Sequence, residues 1–439
     1  MTDKYYTKLI LGHIGIGFCI FLFPFLAKLY AVLIAVAGFY FIFKNKNKNN
    51  EALYASAYVV GCEVFLRTTF GNPFHEYGKY FVLLFVLLGL FYNGISKKTY
   101  PYWIFLLLLI PSTILAINNF NTETRRHVFF NIIGPICLGI CSIYAYKRKI
   151  SRHELDNILL GIGLPIVSSC IFLLLKYPLN GTVIDNTESN FFLSGNYAPN
   201  QMATSLGLGL FVFVLRFLTA SKTLQSQIIN ALIIVLLYYR GLLTFSRGGM
   251  ITGMAMIGLL LLLIWISHRK NPAVRLKLGL LFLLFPLVFA LTSFRTNHLL
   301  FKRYNNQNPS GLYKSREVNG REDIALEEIQ IFRDNPMTGI GVGKTKEQRK
   351  IKNGNNISSH NEITRMLAEH GVFGILSILI LILTPLPLYL KDKQNFYLVC
   401  FFAFWLLTIN HSGMRVAAPS FIYALALFCI KNDDEANLA

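Results

Sequence analysis

NILLGIGLPIVSSCIFLLLK, residues 157–176, is twenty residues long and carries no charge before its last position. A helix of that length reaches across the hydrocarbon core of a bilayer, about 30 Å. Comparable apolar runs recur at 8–25, 28–43, 53–71, 79–96, 100–118, 128–146, 203–220, 227–245, 249–267, 276–294, 371–390, 395–410 and 416–431. The pattern predicts an all-α polytopic transmembrane helical bundle of about 12–14 spans.

Composition agrees. Of 439 residues, 54% are hydrophobic and 15% charged, where a soluble domain carries roughly 25% charged residues. Lys and Arg number 42 against 22 Asp and Glu, a net charge of +20. In a soluble chain that excess would raise nucleic-acid binding. Here the basic clusters punctuate the apolar runs, so the partners expected are membrane lipids and not nucleic acid. KNKNKNN (44–50), SKK (96–98), YKRKISRH (146–153), SHRKNPAVRLK (267–277) and KDK (391–393) mark cytoplasmic loops. Both termini then lie in the cytoplasm. GNPFHEYGK (71–79), NNFNTETRRH (118–127), the loop 177–202, SRGG (246–249), the loop 295–362 and NHSGMR (410–415) lie outside. The seven cysteines (19, 62, 137, 141, 170, 400, 429) fall inside apolar runs without metal-ligand spacing. They read as small core residues, with no disulfide indicated. The first apolar run leads into a second, so no cleavable signal is expected.

The chain thus divides into spans at 1–294, an outer loop with short helices at 295–362, C-terminal spans at 363–431 and a cytoplasmic tail at 432–439. A loop as long as 295–362 usually has a structure or function of its own. It is also basic in part, at RTNHLLFKRYNN (295–306). Solvated loop surface explains such charges, and so does a polyanion site at the outer interface. GREDIALEEIQIFRDNP (320–336) reads as a helix ended by Pro336, with Glu322 and Asp323 in its first turn. Arg321 stands at its start, where a guanidinium can point into a cavity beside free N–H groups. MTGIGVGKT (337–345) is not a phosphate-binding loop, since Thr338 stands where the Walker spacing needs glycine. A tight glycine turn approaching a ligand or helix is expected instead.

ISSHNEITRMLAEHGVFG (357–374) follows. Ser358 or Ser359 can cap a helix beginning near Asn361, with Glu362 in its first turn. Ile363, Met366, Leu367 and His370 share a face. His360 then sits at a helix end on the outer water–membrane boundary. A lone histidine in such a place is more often structural than catalytic, and its company decides. Upstream, LLYYRGLLTFSRGGM (236–250) places Arg240 and Arg247 seven residues apart on one helix face. Arg240 would lie within the membrane, facing a cavity or a partner such as Glu63. Glu63 and Arg67, four apart, can also satisfy each other.

The order SRGG (246–249), GR…RDNPMTGIGVG (320–343) and SHNEITRMLAEHGVFG (359–374) resembles the O-antigen ligase and polymerase superfamily. These are multispan glycosyltransferases of bacterial envelopes. The resemblance covers roughly residues 190–380 by motif and the whole chain by hydropathy. The family often has Trp four residues after the loop arginine, and Ala325 stands there in this chain. The resemblance implies a donor glycan on undecaprenyl diphosphate and transfer to an acceptor hydroxyl outside the cytoplasmic (inner) membrane. It also implies that Arg247 and Arg321 hold the diphosphate and that His360 acts at the acceptor.

The residue chemistry supports that assignment. Arginine binds phosphate oxygens bidentately and stays charged. Fixed guanidinium groups, with Arg240 as a third, would stabilise the charge that grows on a leaving diphosphate. No Asp-x-Asp pair occurs in an outer loop, so no metal and no cofactor is expected. His360 suits proton acceptance near neutral pH, and attack from the far side of the anomeric carbon would invert configuration. Glu362, Glu369 or Glu322 could do the proton work instead. In SGNYAPNQMA (194–203), Asn196, Tyr197, Asn200 and Gln201 suit sugar hydroxyls or a polar helix cap equally. Asn361 and Glu362 are further substrate contacts. Arg125, Arg126, His411 and Arg415 also lie outside.

A ligase joining the glycan to a lipid acceptor such as lipid A-core is the leading expectation. A glycan polymerase and a protein O-glycosyltransferase need the same donor site. A transporter of lipid-linked glycan would show internal repeats, and none is visible.

Overall fold

The computed structural model describes residues 2–117, 122–179, 184–268, 270–314, 320–353, 359–392 and 395–431. Among them ten helices, from Asp3–Leu22 to Val372–Lys391, are long and apolar enough to cross a membrane. Tyr77–Asn93 and Phe396–His411 are shorter apolar helices. The protein is an all-α multispan bundle. The expected first hairpin forms as Asp3–Leu22 and Leu26–Asn45. The last expected span, 416–431, is corrected. Its helix is only Ala418–Leu425, roughly 12 Å long, too short to cross alone. Beyond it Lys147 N–H donates to the Leu427 carbonyl (3.0 Å) and Cys429 N–H to that of Arg148 (2.9 Å). Pairing with the 147–151 segment thus replaces further helix. The tail 432–439 lies outside the described residues.

The chain forms two compact units: Met1–Tyr77 with Ser151–Ser315, and Gly78–Ile150 with Arg316–Lys431. In the first, Pro199–Thr219 is the central helix and is almost wholly buried. It packs against Arg152–Lys176, Leu224–Leu243 and Arg247–His268. Glycines permit the closest approach: a Cβ on Gly249 would lie 2.3 Å from the Thr204 nitrogen. Lipid supplies no hydrophobic drive between helices, so contacts of this closeness do the associating. Glu63 and Arg67 pair at 2.6 Å. Arg67 also donates to the Tyr197 hydroxyl (3.0 Å) and to Gln201 Oε1 (3.3 Å). A buried ion pair persists when its remaining groups are satisfied in this way.

In the second unit Thr122–Ala145 packs on Tyr100–Leu108 and Ala418–Leu425. Ser420 donates to the Gly134 carbonyl at 3.1 Å. The Tyr423 hydroxyl donates to the Leu381 carbonyl (2.7 Å) and lies 3.1 Å from that of Tyr102. These bonds fix the membrane part on which three polar helices rest. Those helices are Arg321–Asp334, Lys344–Asn353 and Glu362–His370. The first matches the helix expected over 320–336.

Candidate functional site

In the first unit Arg247 is the opening residue of Arg247–His268, partly exposed. The turn before it is held by two side-chain hydrogen bonds. Phe245 adopts φ +53, rare for a bulky side chain. Arg303 Nε donates to its carbonyl at 3.0 Å. Ser246 Oγ donates to Asn200 Oδ1 at 2.6 Å. Tyr304 lies near Arg247. Burial pushes its hydroxyl pKa up, while Arg247 and Arg303 oppose the shift. Among the described residues Arg247 has no ion-pair partner. Gly249, two residues after it, serves close helix packing.

Arg240 is 1% exposed. It does not pair with Glu63, which Arg67 takes. Its two terminal nitrogens donate to the carbonyls of Tyr177 (3.0 Å) and Leu193 (2.7 Å). The guanidinium therefore ties Tyr177 to Leu193. Tyr197 donates to Gln201 Oε1 at 2.9 Å and accepts from Arg67, so its hydroxyl is occupied, as is the amide oxygen of Asn200. Asn196, at φ +54, is exposed.

The second unit holds Arg321, His360, Asn361 and Glu362. Arg321 opens Arg321–Asp334, and only its backbone is described. His360 is partly exposed and precedes the N-cap of Glu362–His370. That cap is Asn361, whose side chain accepts from the N–H groups of Ile363 and Thr364. It is not Ser359, and Ser358 lies outside the described residues. Ser359 Oγ accepts from the Asn361 N–H (3.3 Å) and donates to Glu328 Oε2 (3.1 Å). The amide of Asn361 donates to Asn410 Oδ1 at 3.3 Å. Asn361 thus serves as a helix cap tied to Asn410.

Beneath His360 lies a charge network that sequence spacing only partly announces. Glu328, 0% exposed, pairs with Arg349 and accepts from Thr364 Oγ1 at 2.6 Å. Glu327 holds Arg349 Nε at 3.1 Å. Burial raises the Glu328 pKa against the pull of Thr364, Arg349 and Ser359. Arg365 pairs with Glu362 on one side and with Glu369 Oε2 on the other, at 2.7 Å. Burial alone would lower the Arg365 pKa, but the two carboxylates hold it above its ordinary value. Glu369 is raised by burial, with Arg365, the Gly343 N–H and Thr345 opposing. Glu362 and Glu369 are thus both ion-pair partners of Arg365. The pairs at i−3 and i+4 around Arg365 were legible as helix spacing; Glu328 with Arg349 was not.

The glycine stretch 337–345 wraps this helix. Gly339, Gly341 and Gly343 all have positive φ. Ile340 and Gly341 N–H donate to the carbonyls of Ala368 (3.0 Å) and Glu369 (3.1 Å). A Cβ on Gly339 would fall 2.4 Å from the Glu369 carbonyl carbon, so the turn approaches a helix, not a ligand. His370, next along, shares a hydrogen bond through Nδ1 with Ser112. Burial, and then Arg365, lowers its pKa to about 3.

Beside this network opens a cavity of about 320 Å³, with Arg126, His127, Lys346, Ser359, Glu362, Arg365 and Arg415 among its lining. Arg415 donates to the Ser359 carbonyl at 2.7 Å. His360 lies in sequence between two lining residues, Ser359 and Glu362. No group of three or more His, Cys, Asp or Glu side chains is placed to hold a metal among the described residues.

The protein is thus an all-α multispan membrane protein whose polar loop helices carry buried ion pairs and a cavity lined by cations. Residues 229–379 match the family model described as O-antigen ligase. The match covers about a third of the sequence and supports a ligase- or polymerase-type glycosyltransferase. It contains Arg240, Arg247, Arg321 and His360. No curated protein matches the chain.

Proposed function

We propose that this protein moves a glycan from undecaprenyl diphosphate to a hydroxyl of a lipid acceptor of the lipid A-core type. Transfer takes place at the periplasmic face of the bacterial cytoplasmic membrane, with inversion and without a metal. Three helix N-termini inside the matched segment carry the reading. Arg247 and Arg321 each open a helix, and His360 stands directly before the N-cap of a third. A helix N-terminus presents the positive end of its dipole and N–H groups, although in the third helix Asn361 already takes those of Ile363 and Thr364. An arginine added there favours an anion further. Arg247, lacking a carboxylate partner, is available to phosphate.

In the reaction the acceptor hydroxyl oxygen forms the new bond to the anomeric carbon. The bond from that carbon to the diphosphate oxygen breaks, and the electron pair leaves with the diphosphate. The acceptor proton passes to His360. Arg247 and Arg321 stabilise the leaving charge. Arg240 holds the 177–193 segment and touches no substrate. Asn196 is the sugar contact retained from the 194–203 segment.

Purified protein in lipid vesicles, given undecaprenyl-diphosphate-linked glycan and acceptor, tests this. Arg247→Ala and His360→Ala should each lower kcat by about a hundredfold or more at unchanged thermal stability, and EDTA should leave the rate intact. Wild-type turnover in both variants would sink the site. A rate lost in EDTA and restored by a divalent ion would sink the metal-free mechanism. Longer chains on undecaprenyl diphosphate, in place of acceptor-linked glycan, would make the enzyme a polymerase.

A further inference from the structure

The cavity beside the Arg365 network gathers cations from three separated elements. Arg126 comes from Thr122–Ala145, Lys346 from Lys344–Asn353, and Arg415 from the turn after Phe396–His411. Arg365 is already paired with two carboxylates, Glu362 and Glu369, and Glu362 is itself part of the lining. Among the described residues neither Arg126 nor Lys346 has an ion-pair partner. Like charges brought to one concavity repel, and their shared field raises the local concentration of an anion. Phe130 and Met414 add an apolar wall. At about 320 Å³ the space lies at the small end of ligand cavities. Its wall is continuous with the catalytic loop, because Arg415 holds the Ser359 carbonyl at 2.7 Å.

We propose that this cavity binds an anionic group, a phosphate or carboxylate, on the acceptor sugar, and so presents the acceptor hydroxyl to His360. The proposal rests on the transfer reading above and narrows the acceptor to an acidic or phosphorylated glycan. Arg126 supplies planar, bidentate recognition and Lys346 a point charge. A neutral acceptor forgoes both contacts.

The test uses the full chain in vesicles and two readouts. Binding of galactose 6-phosphate, galacturonate and galactose is measured by saturation-transfer NMR on wild type and on the Arg126→Gln/Lys346→Gln double variant. The two anionic sugars should bind wild type about tenfold to a hundredfold more tightly than the double variant, and galactose should bind neither. In transfer assays the double variant should raise KM for an anionic acceptor by a similar factor, with kcat and the donor KM within about twofold. Thermal unfolding without ligand checks that the variant folds. Equal binding of the anionic sugars by wild type and variant overturns the proposal, as does a rise in donor KM alone, which would give the cavity to the diphosphate. Should wild type show no transfer, the function reading fails by itself, and the binding readout still decides the cavity.

Discussion

Glu328 anchors the loop that carries His360, and its removal has a calculable effect. The carboxylate is 0% exposed and is the common acceptor for Arg349, Ser359 and Thr364. Glu328→Ala deprives all three of that acceptor. Breaking a buried ion pair from one side costs about 3–5 kcal/mol. Glu327 stays on Arg349 Nε, so the low end applies, about 3 kcal/mol, or about a hundredfold in an opening equilibrium. Glu328→Gln keeps an oxygen for Thr364 or Ser359 and should cost about half as much. Glu328→Leu/Arg349→Met removes both charges and should recover most of the loss. Hydrogen exchange followed by mass spectrometry reads this directly, since the Asn361, Ile363 and Thr364 amides are bonded within the anchored turn. Their protection should fall about a hundredfold in Glu328→Ala and return in the double variant. A fall below about fivefold, or a double variant as labile as the sum of its singles, would refute the anchor.

Two further outcomes follow from burial and close packing. The His370 pKa is depressed from 6.5 to about 3, so the folded state keeps the ring neutral while the unfolded chain takes up a proton below pH 6.5. Stability is therefore full above that pH and declines as pH falls towards 3, by roughly 1.4 kcal/mol per pH unit or about 2 kcal/mol at pH 5. His370→Gln should flatten that part of the acid limb in a denaturation series, and an unchanged slope would refute it. Gly249→Ala must force Thr204 and its helix away, because the added Cβ would lie 2.3 Å from a backbone nitrogen. Gly258 on the same helix has open space around it. Thermal unfolding in detergent should therefore drop for Gly249→Ala and stay near wild type for Gly258→Ala, and equal values would count against the packing argument.

Much of the fold is legible in the order of residues along the chain. Apolar length specifies spans because a backbone in lipid must satisfy its own hydrogen bonds. Runs such as 157–176 therefore form helices, here Arg152–Lys176. Pro336 and the acidic first turn locate Arg321–Asp334, and glycine spacing announces a tight turn at 337–343. The expected final span fails because apolar length alone marks 416–431, while the Lys147 and Arg148 backbone draws its end into extended pairing. The cap of Glu362–His370 moves from serine to Asn361 because Glu328 engages Ser359.

Whatever depends on neighbours within a turn or two, such as span length and helix period, follows from residue order alone. The tertiary structure alone decided which distant groups a buried charge meets. Arg240 meets carbonyls 47 and 63 residues away, Glu328 meets Arg349 21 residues on, and Arg415 reaches Ser359. A charge removed from water takes whatever partner packing brings within hydrogen-bond range, and that partner is a property of the folded chain rather than of any local pattern.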